Sequence, residues 1–440
     1  MSTLISKLRN HSSENRVDPR IVQPMDDRHA VYVLLVLGAV SFFNYGDRMI
    51  IAVLLEPIKK EFGFSDSQLG LLTGFAFALT YATFGIPLAR LADGKSRTAI
   101  LSIVTVAWSA MTVLCGAAQN FAQLLLARIG VGLGEAGCVP ASHSLISDYF
   151  PRARRVFALG MFHAAGSVGV LVCVALSGLI AATLGWRWAF FLIGAPGLLV
   201  ALVIWMSVRE PPRGQCEPNY SQPAAPLKWY PAFRILLGRI TFVHIALGIS
   251  LAAFTLIGSG QWIPAFFIRS HGMPLRDVGA YFGLAVGVGM LIGQVAGSLF
   301  GPRLIVRDRR WELWAPAAAY VASVLSFVFA FMVSSASLAL ALVFAANLFG
   351  GISFGPMMSS VQSVAEPHLR ATAISIVMFS SAMIGQGAGG YVIGFMSDLL
   401  TPSYGEEALR MSLIASTLMM LWSVAHFMLA ARAFHADRIN

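Results

Sequence analysis

Long apolar runs dominate the chain, and shorter polar connections separate them. Twelve runs are long enough for a helix that crosses a bilayer, which needs about 20 mostly apolar residues. We number them span 1 to span 12, and they cover residues 30–57, 67–90, 97–117, 121–146, 156–183, 187–208, 238–268, 276–301, 312–333, 337–363, 370–399 and 407–433. No run shows the polar and apolar alternation that is typical of transmembrane β-strands. The pattern therefore predicts an all-α membrane protein.

The longest polar connection divides the spans into two groups of six. It covers residues 209–237 and is rich in proline, which favours a semi-rigid linker. We therefore predict two six-helix bundles with a linker between them and a tail at each end. The predicted boundaries are 1–29 for the first tail, 30–208 for the N-terminal bundle, 209–237 for the linker, 238–433 for the C-terminal bundle and 434–440 for the second tail.

The two halves also resemble each other in sequence. A shift of 216 positions places Gly134 on Gly350 and Pro140 on Pro356. Chance matches between Gly-rich helices are one explanation. The other is that the bundles are related as repeats, and parallel repeats place a binding site near the bilayer midplane between them.

Composition supports a membrane location for most of the mass. Hydrophobic residues make up 57% of the chain and charged residues 12%, whereas soluble chains carry about 25% charged residues. The net charge of +10 needs no nucleic acid, because cytoplasmic loops collect Lys and Arg. The distribution of these residues predicts a multi-pass protein with both termini in the cytoplasm. The four cysteines indicate no disulfide and no metal site.

Two carboxylates and two arginines lie deep inside predicted spans, away from the span ends. Asp47 and Arg48 lie in span 1, and Arg128 and Glu135 lie in span 4. A charge at the bilayer centre costs at least roughly 2.5–3.5 kcal/mol, so such residues are usually functional. All four belong to the first half, and the second half has uncharged residues at the positions equivalent to those of span 4. We therefore expect a cavity whose two sides differ in charge.

Spacing indicates which of these side chains share a helix face. Arg128 and Glu135 are seven residues apart, and Asn44 and Asp47 are three apart, so each pair lies on one face. One interpretation is a set of structural ion pairs. The other is a proton-coupled anion site, in which Asp47 or Glu135 exchanges the proton while Arg48 and Arg128, with Asn44 beside them, bind the cargo.

Several motifs resemble those of known transporters. The twelve spans in two halves and the span 4 motif Leu124-x3-Arg128-x3-Gly132-x-Gly134-Glu135 resemble the major facilitator superfamily. The loop Ala89-Arg-Leu-Ala-Asp93-Gly-Lys-Ser-Arg97 is similar to the gating motif of that family, with Ala89, Gly94 and Ser96 departing from it. Three further motifs resemble those of bacterial spinster homologues, namely Asn44-Tyr-Gly-Asp47-Arg48, Ser147-Asp148-Tyr-Phe-Pro151 and Gly185-Trp-Arg-Trp-Ala-Phe-Phe191.

The resemblance implies roles for particular residues. It assigns coupling and cargo binding to the charged groups of spans 1 and 4, and gating to Asp93, Arg97 and Asp148. Animal spinster proteins export lysolipids and sphingosine phosphate, so the implied cargo is an anionic or zwitterionic amphiphile.

The sequence thus predicts a proton-coupled secondary transporter that works by alternating access. Its expected partners are a small amphiphile, protons and membrane lipids, and we expect a monomer with no cofactor and no metal. The alternatives are a proton-driven multidrug or organic-anion transporter of the same fold, a membrane enzyme, and a receptor. His143, His163 and His244 lack metal-ligand spacing, which favours a packing role.

Overall fold

The computed structural model describes residues 27–216, 229–366 and 369–437, and every regular element in these ranges is helical. The first half contains span 1 (Asp27–Phe62), span 2 (Asp66–Gly70, the π-helical turn Leu71–Phe75 and Ala76–Gly94), span 3 (Arg97–Ala117), span 4 (Phe121–Glu135 and Cys138–Tyr149), span 5 (Arg152–Thr183) and span 6 (Trp186–Ser207). The parts of the predicted tails at 1–26 and 438–440 and linker residues 217–228 lie outside these ranges.

The second half begins with a short helix, Trp229–Leu237, at the end of the predicted linker. After it come span 7 (Ile240–Ala253, the π-helical turn Phe254–Ser259 and Ile263–His271), span 8 (Leu275–Arg307), span 9 (Trp311–Met332), span 10 (Ala336–Ser363), span 11 (Arg370–Ser380, the π-helical turn Ser381–Gly389 and Gly390–Tyr404) and span 12 (Ala408–Asp437).

Eleven helical stretches of the described chain are long and apolar enough to cross a membrane. The last of them, Thr372–Phe434, is 63 residues long and covers most of span 11 and most of span 12. The two spans are separated at Gly405, whose φ is +56°. Glycine adopts a positive φ without steric cost, so it allows the chain to reverse here. The predicted all-α membrane fold is confirmed.

Side-chain caps fix where the spans of the first half begin. The Ser65 hydroxyl accepts from the backbone N–H of Gln68, and the Gln68 side chain accepts from the Ser65 N–H in return. At the start of span 4, Asn120 accepts from the backbone N–H of Gln123. Backbone groups that lack such partners are costly in or near lipid, so these caps hold the register of both spans.

Glycine contacts join the two halves where spans 2 and 11 meet and where spans 5 and 8 meet. A Cβ atom on Gly70 would lie 2.5 Å from the carbonyl oxygen of Gly390, and one on Gly178 would lie 2.9 Å from the Cα of Gly279. Any side chain would separate these backbones. Both contacts lie toward the end of the bundle that contains the connection between spans 1 and 2, which we call the closed end.

Candidate functional site

Span 1 presents three of the predicted site residues. Asn44 and Asp47 are 0% and 1% exposed, and the Arg48 side chain is 15% exposed. Asn44 and Asp47 therefore lie inside the first bundle, as their shared helix face predicts. Arg48 is rotated by about 100° from Asp47 and retains some exposure.

An ion pair connects span 1 to span 4. The Nη2 and Nε atoms of Arg48 donate to Oε2 of Glu135 at 2.7 and 3.0 Å, and Glu135 is fully buried. Glu135 is the last residue of the helix Phe121–Glu135, and a short break precedes the second helix of the span. The sequence placed Arg128 and Glu135 on one face, but the structure gives Glu135 a different arginine as its hydrogen-bonded partner.

Aromatic rings surround the guanidinium of Arg48. Its Cζ atom lies 4.9 Å from the ring centre of Phe77, 4.7 Å from that of Tyr81 and 5.6 Å from that of Tyr45. Arg128 lies 5.4 Å from the same Phe77 ring. Ring faces stabilise a cation without neutralising it. Sequence reasoning missed these rings, although Phe77 and Tyr81 are four residues apart on one face of span 2.

Several polar atoms in this region have no hydrogen-bond partner within the described chain. They are Nε and Nη2 of Arg128, both side-chain heteroatoms of Asn44, Oδ1 of Asp47, Oε1 of Glu135, Nε1 of Trp108 and Oγ of Ser109. Buried polar groups are nearly always paired in proteins. These atoms are concentrated in spans 1, 3 and 4, and we call this buried polar region the charged compartment.

The formal charges of the charged compartment sum to zero. Arg48 and Arg128 contribute two positive charges, and Asp47 and Glu135 contribute two negative ones. Thr112 donates to Oδ2 of Asp47 at 3.3 Å. Arg128 is 1% exposed and interacts with both carboxylates through space. A further charge that entered this region would disturb the balance.

A second cluster involves the predicted gating residues at the end opposite the closed end. Arg97 is 1% exposed and donates to Asp148, and its Nε donates to Oε1 of Glu210 at 2.7 Å. Its Nη2 also donates to the carbonyl oxygen of Pro211 at 2.8 Å. The start of the linker is therefore tied to spans 3 and 4. The side chain of Asp93 lies outside the described part of the chain, so its predicted gating role stays a prediction.

Glu210 was not identified from the sequence, because it follows Arg97 by 113 residues. It also accepts from the backbone N–H of Thr98 at 2.9 Å and from the Ser96 hydroxyl at 3.0 Å. Burial alone would raise the pKa of Glu210, but the bonds from Thr98 and Arg97 outweigh it and hold the pKa below its ordinary value.

Glu210 gives a prediction about acid stability. Because its pKa is lower in the folded chain than in the unfolded chain, the contacts stabilise the protein above the ordinary pKa of glutamate and are lost as the pH falls through the folded value. Glu210→Gln should lower the midpoint of thermal unfolding by a few degrees at neutral pH and by much less in acid. Glu406→Gln, at an exposed site, is the control. A midpoint of thermal unfolding that Glu210→Gln lowers equally at both pH values would contradict this account.

The closed end holds ion pairs that cross between the halves. Arg269 of span 7 donates to Oε1 of Glu56 at 2.8 Å and to the two carboxylate oxygens of Asp66 at 2.6 and 2.8 Å. Asp398 of span 11 accepts from the backbone N–H groups of Asp66 and Ser67 at 2.9 and 2.7 Å. These contacts latch spans 1 and 2 to spans 7 and 11. Sequence reasoning had assigned no role to any of these residues.

Breaking this latch should open the closed end. We expect Arg269→Gln to shift the distance between spin labels at positions 60 and 406, one on each half, toward longer values in a Cys216→Ser background. Arg187→Gln is the matched control, because Arg187 pairs with Glu61 within the first half at the same end. A distance distribution unchanged by Arg269→Gln, or changed equally by Arg187→Gln, would show that the latch does not hold the halves together.

The described residues contain no group of three or more side chains suited to a metal ion.

A sequence model described as Major Facilitator Superfamily matches residues 37–390. The chain is 32% identical over 419 residues to an MFS-type efflux pump of Mycolicibacterium smegmatis, covering 92% of this chain and 94% of that protein. It is 28% identical over 416 residues to the sphingosine-1-phosphate transporter SPNS2 of Danio rerio, covering 88% and 81%.

A solved structure is also similar. It is a bacterial homologue of the human lysosomal transporter spinster, in an inward-facing and unoccupied conformation, and its sequence is 30% identical. The TM-score is 0.86, and the match covers 94% of this chain and 99% of that one. The overall arrangement of the helices is therefore similar to that of a solved transporter structure.

Proposed function

Because the chain belongs to the major facilitator superfamily, we propose that it couples proton movement to the transport of an anionic or zwitterionic amphiphile, such as a lysolipid or a sphingolipid-like molecule. It is a multi-pass membrane transporter related to spinster proteins, and its relatives are transporters rather than enzymes. The proposed location is the bacterial inner membrane with both termini in the cytoplasm, and the proposed working unit is the monomer.

One observation supports this proposal most strongly. Arg128 is buried and two of its guanidinium nitrogens have no hydrogen-bond partner in the described chain. A buried guanidinium stays charged at any relevant pH, and leaving it incompletely paired is costly. A phosphate or carboxylate head group would supply the missing acceptors. The second half has the uncharged Phe344 and Gly351 where the first half has Arg128 and Glu135 under the shift of 216, and this side of the cavity would receive the apolar tail.

The ion pair between Arg48 and Glu135 supplies a coupling step. An anionic head group that approaches Arg48 competes with Glu135 for the same guanidinium. A buried carboxylate that loses this partner becomes an unpaired charge, and binding a proton removes that charge. Cargo binding at Arg48 would thus favour protonation of Glu135. Asp47, with one oxygen unpartnered, is the second candidate for the proton.

Alternating access gives the two ends of the bundle different roles. With the proposed topology, the closed end faces the periplasm, and the Arg269 latch keeps the cavity shut on that side. The similar bacterial structure is inward-facing, which agrees with this assignment. The latch would break as the halves rock into the outward-open state, whereas the contacts of Arg97 lie at the cytoplasmic end.

A second candidate is a proton-driven multidrug or organic-anion transporter of the same fold. The similarity to the mycobacterial efflux pump favours it. Flux measured in proteoliposomes separates the two candidates. We expect an imposed pH gradient to drive a lysophospholipid faster than an uncharged amphiphile with an equal tail. Equal pH-driven flux of structurally unrelated drugs would favour the multidrug function, and flux of no compound above that of protein-free liposomes would contradict both.

A further inference from the structure

Two histidines from neighbouring spans face each other in the first half. The Nε2 atoms of His143 on span 4 and His163 on span 5 are joined by a hydrogen bond of 3.2 Å, in which either ring can donate, and the two rings are nearly perpendicular at 82°. His163 is exposed, so the pair can be reached from outside the packed bundle. The neighbouring rings are Phe162 and Tyr45, which are not carboxylates that would pair with a charged imidazole.

We propose that His143 and His163 form a binding site for a divalent transition-metal ion, with Zn²⁺ as the reference ion. Imidazole nitrogens bind Zn²⁺ at about 2.0–2.1 Å in tetrahedral geometry. Two nitrogens 3.2 Å apart therefore enclose an angle of about 100° at the metal, near the tetrahedral value. Water would complete the coordination, because the described residues hold no third ligand of the usual kind nearby. Such a site is exchangeable and selects imidazole-binding metals over Ca²⁺ or Mg²⁺.

The second half contains an internal comparison. His244 on span 7 and His426 on span 12 also meet, but through their Nδ1 atoms, which are 2.8 Å apart, with the rings inclined by 42°. The same bond length would then require an angle of about 85° at the metal, which is poor for tetrahedral Zn²⁺. The first pair is therefore closer to tetrahedral geometry, and the second pair serves as the internal control.

The location gives the site a structural consequence. Span 4 carries Arg128 and Glu135, and span 5 packs against span 8 of the other half. A bound ion would link span 4 to span 5 beside the charged compartment. Neither pair could be recognised in the sequence, because the two histidines of each pair belong to different helices. They are 20 residues apart in the first pair and 182 residues apart in the second.

The test uses the untagged full chain, purified in detergent, stripped with a chelator and titrated with Zn²⁺ against a chromophoric indicator. We expect one Zn²⁺ per chain, bound with an affinity that falls by about tenfold or more in His143→Ala and in His163→Ala. The double variant His244→Ala and His426→Ala should bind as the wild type does. Binding that survives either substitution in the first pair, or that is lost with the second pair, would overturn the assignment.

Two further measurements distinguish loss of the metal site from misfolding of a variant. In the double variant His244→Ala and His426→Ala, Cu²⁺ should give an electron paramagnetic resonance spectrum with hyperfine coupling to two imidazole nitrogens, and adding His163→Gln should remove the coupling to at least one of them. Zn²⁺ should raise the midpoint of thermal unfolding of the wild type but not of His163→Gln, with both proteins having similar midpoints without metal. The same rise in both proteins would contradict a site at this pair.

Discussion

Glu135→Gln should reduce pH-driven accumulation of cargo to less than about a tenth of the wild-type level, while the protein remains folded. Glutamine keeps the shape of the side chain and still accepts a hydrogen bond from Arg48, but it does not take up a proton. Asp47→Asn should have the same effect if Asp47 carries the proton. The measurement is uptake of a labelled lysolipid into proteoliposomes with and without an imposed pH gradient.

Glu312→Gln is the matched control for these substitutions. Glu312 is 3% exposed and accepts from the Ser363 hydroxyl at 2.7 Å, but it lies in the second half, outside the charged compartment. The Glu312→Gln variant should therefore take up cargo in response to the pH gradient as the wild type does. A wild-type response in either Glu135→Gln or Asp47→Asn would remove that residue from the coupling mechanism, and a wild-type response in both would leave the compartment with a structural role.

Arg48→Ala should weaken binding of an anionic amphiphile by about 2–5 kcal/mol, which is about 30-fold or more, and should affect an uncharged amphiphile of equal tail length far less. The wild-type guanidinium is partly exposed and lies beside the stacked rings of Phe77 and Tyr81. Its N–H donors contact Glu135, and a head group that displaces this carboxylate would meet the same fork of donors. Arg48→Lys should recover only part of the affinity, because an ammonium lacks the two-point geometry.

The assay is equilibrium binding of a lysolipid series to purified protein, compared with uncharged analogues. Arg239→Lys is the matched control, since Arg239 pairs with Glu366 in the second half and should leave both affinities unchanged. Equal losses for charged and uncharged members in Arg48→Ala would assign Arg48 to helix packing and place head-group recognition elsewhere.

The sequence predicted the parts of this structure that depend on local pattern. Hydrophobic run length located the spans, and the cost of a charge in lipid singled out Asp47, Arg48, Arg128 and Glu135. Periodicity assigns each side chain to a face of its own helix. It does not fix how two helices are rotated against each other, so the pairing of Arg48 with Glu135 came only from the packing of spans 1 and 4.

Other parts of the candidate site depend on contacts that are distant in sequence. Arg97 meets Glu210 across 113 residues, and Arg269 meets Asp66 across 203. Polar residues near span ends are common in membrane proteins, so the sequence offered no reason to select Arg269 or Glu210 over their neighbours. The Phe77 and Tyr81 rings could have been flagged by their helical spacing, but that spacing is equally typical of ordinary packing.

The proton count on cargo binding tests the central claim most directly. Lysolipid is added to the purified protein in weakly buffered detergent solution, and the change in pH is converted to protons per chain. If cargo displaces Glu135 from Arg48, the wild type should take up about one proton per bound molecule near neutral pH, and Glu135→Gln should take up far less. Binding of lysolipid to the wild type with no exchange of protons would contradict the account.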